Sequence, residues 1–289
     1  MNSSLAKGIT LSLLTWTLFA CMGAFIKFSY SYTTTPVAFF CQNFVAFLTL
    51  IPYFFFGGTS WLNRGSWRLT FLRSALGGIS FFCLFLAIKK IPLTDATLLN
   101  NTAPLFVPFL AALILKTTLR LPIFVCTLVG FSGVLMILKP SNGVFCLEAL
   151  PALLSGIASA LVMIVMRKLK GENPRKILVT YLVLVSLASA PFALPHLAQL
   201  PLVAWIPLSL AGICFGIGQL FLTWSSKHAE PTVLAPLSYT FVVASGILDW
   251  AIWGHSPGVA SALGILLVLT GGILTIFYSR KPVVVSCQQ

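Results

Sequence analysis

Charged residues are scarce in this chain, and acidic residues are the scarcest of all. Of 289 residues, 18 are Lys or Arg and 5 are Asp or Glu, so that only 8% are charged, whereas a soluble domain carries about 25%. Hydrophobic residues make up 58% of the chain, and the mean hydropathy is +1.00. Because so few charges cannot cover the surface of a soluble protein, the composition excludes a soluble enzyme, a secreted disulfide scaffold and a nucleic-acid-binding protein. It predicts an integral membrane protein.

The chain also lacks the clustered side chains on which catalysis and metal binding depend. The three histidines are far apart and have no second ligand at metal-binding spacing, and the seven cysteines form no CxxC pair. There is no phosphate-binding loop and no nucleophile-and-base motif. We therefore expect no enzymatic activity, no cofactor and no metal. A membrane scaffold and a channel remain the alternatives from other functional classes, and saturable counterflow distinguishes a carrier from a channel.

What the sequence does contain is a succession of apolar runs long enough to cross a bilayer, which takes about 20 residues as a helix. Ten such runs lie at 8–28, 36–56, 70–89, 94–115, 121–138, 147–166, 177–195, 204–226, 231–252 and 257–278. The loops between them are too short to hold a soluble domain. We therefore predict an all-α integral membrane protein with ten transmembrane helices.

The basic residues predict the orientation of these spans. With a cytoplasmic N-terminus, 14 of the 18 Lys and Arg residues fall on the cytoplasmic side, and only Lys27, Lys89, Lys90 and Lys139 fall outside. Such a bias follows the positive-inside rule. Both termini are therefore expected in the cytoplasm, and the net charge of +13 reflects membrane topology, not a nucleic-acid partner.

An internal repeat is indicated by segments that align at a nearly fixed offset. GFSGVLMI from Gly130 aligns with LTGGILTI from Leu269, 139 residues later, and Pro52 pairs with Pro191 at the same offset. Chance similarity between apolar spans is the alternative. If the repeat is real, residues 1–140 and 141–289 each hold five spans, and because five is odd the second half enters the membrane from the opposite side. In secondary transporters, such inverted repeats place the substrate site near the bilayer midplane.

Several longer segments resemble a known family. RSALGGISFFCLFLAIKKIPLTDATLLNNTAPLF from Arg73 and GQLFLTWSSKHAEPTVLAPLSYT from Gly218 are similar to the two EamA-type domains of the drug/metabolite transporter superfamily. The segments DATLLNNTAPLF and LAPLSYT resemble the branch that holds S-adenosylmethionine and riboflavin uptake carriers. The chain departs from the family pattern at Lys116-Thr117 and at Gly254-His255, where the family often has Gly-Glu, and at Gln42-Asn43, where it often has Arg.

The resemblance implies a secondary transporter in the inner membrane of a bacterium, with two inverted five-helix repeats and alternating access. The best candidate substrate is S-adenosylmethionine, taken up or exchanged for S-adenosylhomocysteine. Amino acids, riboflavin or another metabolite, carried in either direction, are the alternatives. The chain has no paired intramembrane carboxylates, which favours exchange or facilitated diffusion over obligatory proton coupling. A small-molecule metabolite and the lipid bilayer are the expected partners, and the protein is expected to be a monomer or weak dimer.

Polar and aromatic side chains inside the spans are the candidates for substrate binding, because polar groups in lipid tend to face the bundle interior. Amides and hydroxyls suit adenine edges and ribose, aromatic rings suit the adenine and the sulfonium cation, and an acid suits a cation. Interhelical hydrogen bonding or plain packing is the alternative at each position. The candidates are Trp16, Gln42, Asn43, Phe81, Asn100, Asn101, Gln219, Trp224, Ser238, Tyr239 and Asp249.

Spacing refines three of these expectations. In span four, polar and proline positions at steps of 4, 3 and 4 predict one shared helical face of Thr97, Asn101, Pro104 and Pro108. Asp249 lies about 5 Å from the end of span nine, so it is either a receptor for a cationic substrate or an ordinary interfacial acid. Gly212 and Gly216 form a GxxxG pair, which predicts close helix packing.

Overall fold

The computed structural model describes residues 3–55, 66–115, 121–138, 147–169, 171–228, 234–255 and 259–279, and all regular structure within these ranges is helical. Lys116-Thr117, where the chain departs from the family pattern, and Lys139, predicted to lie on the outer side, are outside these ranges. Two 3-10 turns occur, at Leu147–Ala149 and Ala235–Tyr239. The helices are α1 Ser3–Ser29, α2 Thr35–Phe55, α3 Trp67–Ile88, α4 Leu93–Asn100, α5 Ala103–Leu115, α6 Leu121–Leu138, α7 Leu150–Lys168, α8 Pro174–Leu197, α9 Leu202–His228, α10 Thr240–Trp253 and α11 Val259–Ser279.

The length and apolarity of these helices support an integral membrane protein. Within the described ranges, seven segments are long and apolar enough to cross a bilayer. Two shorter apolar helices follow, at Leu237–Trp253 and Ala262–Gly271. The seven segments are Leu5–Ser29, Thr35–Phe54, Trp67–Ile88, Leu93–Ile114, Leu147–Met166, Pro174–Leu197 and Leu202–Ser225.

Span four, predicted as one helix with Thr97, Asn101, Pro104 and Pro108 on a shared face, is interrupted in the structure. α4 ends at Asn100 and α5 begins at Ala103. The cause is Pro104, which has no amide proton to donate and whose ring clashes with the carbonyl four residues earlier, that of Asn100. Hydrogen bonds that reach back three residues, as in a 3-10 turn, stabilise this segment instead. They run from Thr102 N to the Leu99 carbonyl at 3.2 Å and from Leu105 N to the Thr102 carbonyl at 2.8 Å. The backbone is thus irregular between the two helices of this span.

The helices of the N-terminal part of the chain pack mainly against helices of the C-terminal part. α1 contacts α9 and α10, α2 contacts α8 and α9, and α3 contacts α7 and α8. α4 and α5 contact α7, α4 also contacts α10, and α6 contacts α11. The buried core between them is rich in large apolar side chains, among them Met22, Phe85 and Phe215.

Glycines allow the closest of these helix contacts. A Cβ atom on Gly133 of α6 would lie 2.6 Å from the carbonyl oxygen of Gly264 on α11, and one on Gly271 would lie 2.6 Å from the Cα of Gly130. On α9, a Cβ on Gly212 would lie 2.5 Å from that of Val45, and one on Gly216 would lie 3.3 Å from Ala46. The packing role predicted for the GxxxG pair is therefore confirmed.

Candidate functional site

An aromatic cluster joins four helices at the centre of the bundle. The Phe81 ring of α3 lies 5.1 Å from Phe215 of α9 and 6.4 Å from Tyr181 of α8, measured between ring centroids. Phe19 of α1 lies 5.6 Å from Phe215 and 6.4 Å from Phe81. Trp16, one turn earlier on α1, extends the cluster to Phe19 at 5.7 Å. Two predicted residues, Trp16 and Phe81, therefore belong to one cluster. Its other rings, Phe19, Tyr181 and Phe215, were not predicted from the sequence.

Polar atoms of this aromatic cluster, and one on the 3-10 turn Ala235–Tyr239 that packs against α1, lack hydrogen-bond partners among the described residues. They are Trp16 Nε1, the Tyr181 hydroxyl and the Tyr239 hydroxyl. Tyr181 is only 2% exposed and Tyr239 only 6%. Because a buried donor without a partner costs free energy that folding does not recover, such groups are suited to bind a ligand that supplies the missing acceptors.

The two amide side chains of α2 also have buried polar atoms without hydrogen-bond partners among the described residues. Gln42 and Asn43 are both fully buried. Asn43 donates its Nδ2 to the Phe39 carbonyl at 2.8 Å and lies 3.2 Å from Gln42 Oε1. Gln42 Nε2 and Asn43 Oδ1 have no partner among the described residues, so each retains a donor or acceptor for a ligand.

The two asparagines of span four differ in what they do. Asn100 donates its Nδ2 to Ser155 Oγ of α7 at 2.9 Å, and Ser80 of α3 lies 2.7 Å from Ser159 Oγ of the same helix. This polar network connects α3, α4 and α7, which is the interhelical role that was the alternative for Asn100. Asn101 is 8% exposed and donates to the Thr97 carbonyl at 3.0 Å, so its amide stabilises the interruption between α4 and α5.

Asp249 is buried within an ionic cluster formed by α1, α4 and the C-terminal end of α10. Its carboxylate is fully buried and lies 2.8 Å from Lys27 Nζ of α1. It accepts further bonds from the amide and the hydroxyl of Thr94, both at 3.2 Å, and His255 Nδ1 lies 3.2 Å away. Lys27 also lies 4.5 Å from the centroid of Trp253. The carboxylate therefore already has a cationic partner, and the contact joins α1, α4 and α10.

A cavity of about 370 Å³ opens next to this ionic cluster. Its walls include Lys27, Trp253 and His255 together with Lys89 and Lys90. Asp95 is a second acid of this region, within electrostatic range of both Lys27 and Asp249. Asp95 was not among the residues predicted from the sequence, although its position one residue inside the predicted fourth span was a usable signal.

The remaining predicted residues differ in their burial. Gln219 and Ser238 are buried, at 8% and 9% exposure. Trp224 is 37% exposed and its ring lies 6.2 Å from that of Phe221 on the same helix, so it is not part of the central aromatic cluster.

Arg73 is a further candidate, which in the sequence was assigned only to the cytoplasmic charges that predict the orientation of the spans. Its guanidinium carbon lies 5.5 Å from the ring centroid of Tyr181. Its Nε is buried without a partner among the described residues, as is the hydroxyl of Ser74 beside it. The usable signal was an arginine three residues inside the predicted third span.

Comparison with known proteins agrees with this architecture. An uncharacterized transporter of Helicobacter pylori is 28% identical over 288 residues, covering 95% of this chain and 96% of the relative. The pseudopaline exporter CntI of Pseudomonas aeruginosa is 28% identical over 278 residues, covering 93% and 95%. An S-adenosylmethionine uptake transporter of Rickettsia felis is 26% identical over 249 residues, covering 85% and 83%.

A solved crystal structure that is 21% identical shares the fold, with a TM-score of 0.59 over 96% of this chain and 97% of the other. The family model of EamA-like transporters matches residues 6–139 and again residues 147–277. The resemblance noted in the sequence is thereby confirmed, and the chain belongs to the EamA-like transporter family.

Proposed function

We propose that this chain is a secondary carrier that moves a small organic metabolite across the inner membrane by alternating access, with S-adenosylmethionine as the best candidate substrate. The observation that carries the proposal is the central aromatic cluster with its unpaired polar atoms, formed by helices from both parts of the chain. Import, or exchange for S-adenosylhomocysteine, is the proposed mode.

The proposed architecture is two inverted repeats of five spans. α6, α10 and α11 supply the three spans beyond the seven of full length. The pattern of helix contacts supports a twofold relation between the repeats. In the two proposed repeats, α1 corresponds to α7, α2 to α8, α3 to α9 and α6 to α11. When each helix is replaced by its counterpart, the α1–α9 contact becomes α7–α3 and the α2–α9 contact becomes α8–α3. The α2–α8 and α6–α11 contacts each map onto themselves. All of these contacts occur.

The direction of the paired helices also fits an inverted relation. Gly133 faces Gly264, whereas Gly130, which comes earlier on α6, faces Gly271, which comes later on α11. α6 and α11 are therefore antiparallel, as inverted repeats require for corresponding spans. The two separate stretches matched by the family model, 6–139 and 147–277, have boundaries close to the proposed halves 1–140 and 141–289.

The substrate proposal combines the relatives with the chemistry of the site. S-adenosylmethionine has an adenine ring and a sulfonium cation, for which aromatic faces are suitable partners. Trp16, Phe81 and Tyr239 offer such faces, and Gln42 with Asn43 offers amide groups for the adenine edge. We leave Asp249 out of the proposed substrate site because Lys27, Thr94 and His255 already occupy its carboxylate.

Uptake by cells that express the chain tests the proposal. Labelled S-adenosylmethionine should accumulate above the level of cells with an empty vector, and excess unlabelled S-adenosylmethionine or S-adenosylhomocysteine should suppress the signal. The same assay is run in proteoliposomes preloaded with S-adenosylhomocysteine to detect exchange. Absence of saturable transport in both systems would refute this substrate.

Export of a metabolite is the second candidate, and the similarity over nearly the full length to an exporter favours it. Proteoliposomes distinguish it from import when the orientation of the inserted protein is determined. A carrier that functions as an exporter would lower, not raise, the content of its substrate in cells that express it.

A further inference from the structure

We propose that Arg73, held against Tyr181 at the cytoplasmic edge of the central aromatic cluster, is the binding site for the carboxylate of the transported substrate. This inference rests on the proposed carrier function and specifies which chemical group of the substrate the protein binds. The substrate class it defines is an organic metabolite with a free carboxylate, such as an α-amino acid or a molecule that contains one.

The direction of the Arg73 side chain is the first observation. A basic side chain near a helix end in a membrane normally extends toward the nearer interface, so that its charge stays in water. Arg73 lies in the second turn of α3, whose nearer end is Trp67. Its Nη1 nevertheless lies 3.9 Å from the position that a Cβ on Gly77 would occupy. The side chain therefore extends one turn deeper into the span, over a glycine that leaves room for it.

The lack of a compensating acid is the second observation. Among the described residues, no carboxylate forms an ion pair with Arg73. The acids of these ranges are engaged elsewhere: Asp249 with Lys27, Glu148 with Lys90, and Glu172 with Lys176, while Asp95 lies near the ionic cluster of Asp249. Arg73 is half-buried and its Nε is fully buried without a partner among the described residues; a charge withdrawn from water without an anionic partner is costly, and an arriving carboxylate lowers that cost.

The residues next to Arg73 offer further unpaired polar groups. A guanidinium binds a carboxylate through two parallel N–H donors. The hydroxyls of Ser74, the next residue in the chain, and of Tyr181, whose ring faces Arg73, are buried and have no partner among the described residues. Tyr181 places the site next to the aromatic cluster, because its ring centroid lies 6.0 Å from Phe215 and 6.4 Å from Phe81.

The sequence provides a matched control in Arg175. Its guanidinium carbon lies 4.8 Å from the ring centroid of Tyr53, so Arg175→Gln also removes a positive charge from a tyrosine face. Tyr53 belongs to α2 and has a contact with Phe54, not with the central rings. Arg175→Gln is therefore expected to leave ligand selectivity unchanged.

Binding of S-adenosylmethionine and of its decarboxylated analogue to the purified protein tests the inference. The wild type should prefer S-adenosylmethionine by roughly 10-fold or more, as expected for a charge-assisted pair. Arg73→Gln should reduce this preference to about one, whereas Arg175→Gln should retain it. Arg73→Lys keeps the charge without the paired donors, and it should show an intermediate preference. It also serves as the folded variant if Arg73→Gln is not recovered.

The two proposals can fail separately. If the wild type binds neither compound, S-adenosylmethionine is the wrong substrate, and the same variants are then compared on amino acids paired with their amines, such as methionine with 3-methylthiopropylamine and tyrosine with tyramine. A preference for the acid that disappears in the Arg73 variants would still support the inference. If the wild type prefers no carboxylate, or if the Arg73 variants keep the preference, the carboxylate site is refuted.

Discussion

Lys27 and Asp249 form an ion pair 2.8 Å long between α1 and α10, with the carboxylate fully buried and the lysine side chain 13% exposed. The two residues are 222 positions apart in sequence, so the pair ties the first helix of the chain to one of its last.

Breaking this pair on one side should destabilise the protein strongly. Lys27→Met leaves a buried carboxylate without its cation, which typically costs about 3–5 kcal/mol. Thermal or denaturant unfolding in detergent measures the effect. Lys90→Met is the control, since its 3.8 Å pair with Glu148 is more than half exposed and is expected to change stability by about 0–1 kcal/mol. The double variant Lys27→Met with Asp249→Leu should recover most of the loss, and recovery of none would contradict an interaction between the two.

Removing the Tyr239 hydroxyl should separate ligand binding from stability. The hydroxyl has no partner among the described residues, so Tyr239→Phe should leave the unfolding temperature unchanged or slightly higher. If the hydroxyl bonds the substrate, affinity should fall by roughly 5- to 150-fold, which corresponds to about 1–3 kcal/mol. A ligand-dependent thermal shift measures both quantities. Unchanged affinity would remove Tyr239 from the site.

Asn100→Ala should lower the stability of the protein and leave its affinity for the ligand unchanged, the opposite of Tyr239→Phe. Its amide bonds Ser155 of α7, and interhelical hydrogen bonds in membrane proteins contribute about 0.6 kcal/mol on average and up to about 1.7. We expect lower stability with affinity for the ligand retained. Ser155→Ala is the partner variant and should lose no further stability in the Asn100→Ala background. Loss of affinity without loss of stability would instead place Asn100 in the substrate site.

Gly133→Ala should disrupt the contact between α6 and α11. The added methyl would lie 2.6 Å from a backbone carbonyl oxygen, and backbone atoms cannot move aside as a side chain does. A cost of about 1–3 kcal/mol or more is expected for such overpacking. Gly246→Ala is the control, because its methyl would meet only Thr94 at an ordinary 3.5 Å. Equal thermal stability of the two variants would contradict the tight contact.

Reporter fusions test the predicted topology. Green fluorescent protein attached after Gln289 should fluoresce, because the C-terminus is predicted in the cytoplasm from the distribution of Lys and Arg. Alkaline phosphatase attached at Asn142, between spans five and six, should be active outside. An inactive phosphatase at Asn142 would mean that the orientation is reversed.

The sequence by itself determined the class of protein and the approximate positions of several of its helices. The predicted runs 121–138 and 257–278 correspond closely to Leu121–Leu138 and Val259–Ser279, because a membrane span must be continuously apolar and hydrogen-bonded within itself. Because a span must be apolar, a polar residue within it can be recognised in the sequence as an exception. Such polarity marked Gln42, Asn43 and Tyr239 as candidates, and all three are buried with an unpaired atom.

Only the tertiary structure decided which polar residues already have partners. Apolar periodicity says nothing about contacts between residues 222 positions apart, so the sequence left Asp249 open as a cation receptor, whereas packing places Lys27 against it. It also could not show that Asn100 bonds α7, or that Arg73 extends toward Gly77 and the face of Tyr181. These outcomes depend on which helix faces meet, and that is decided by the packing of the whole bundle and not by any single span.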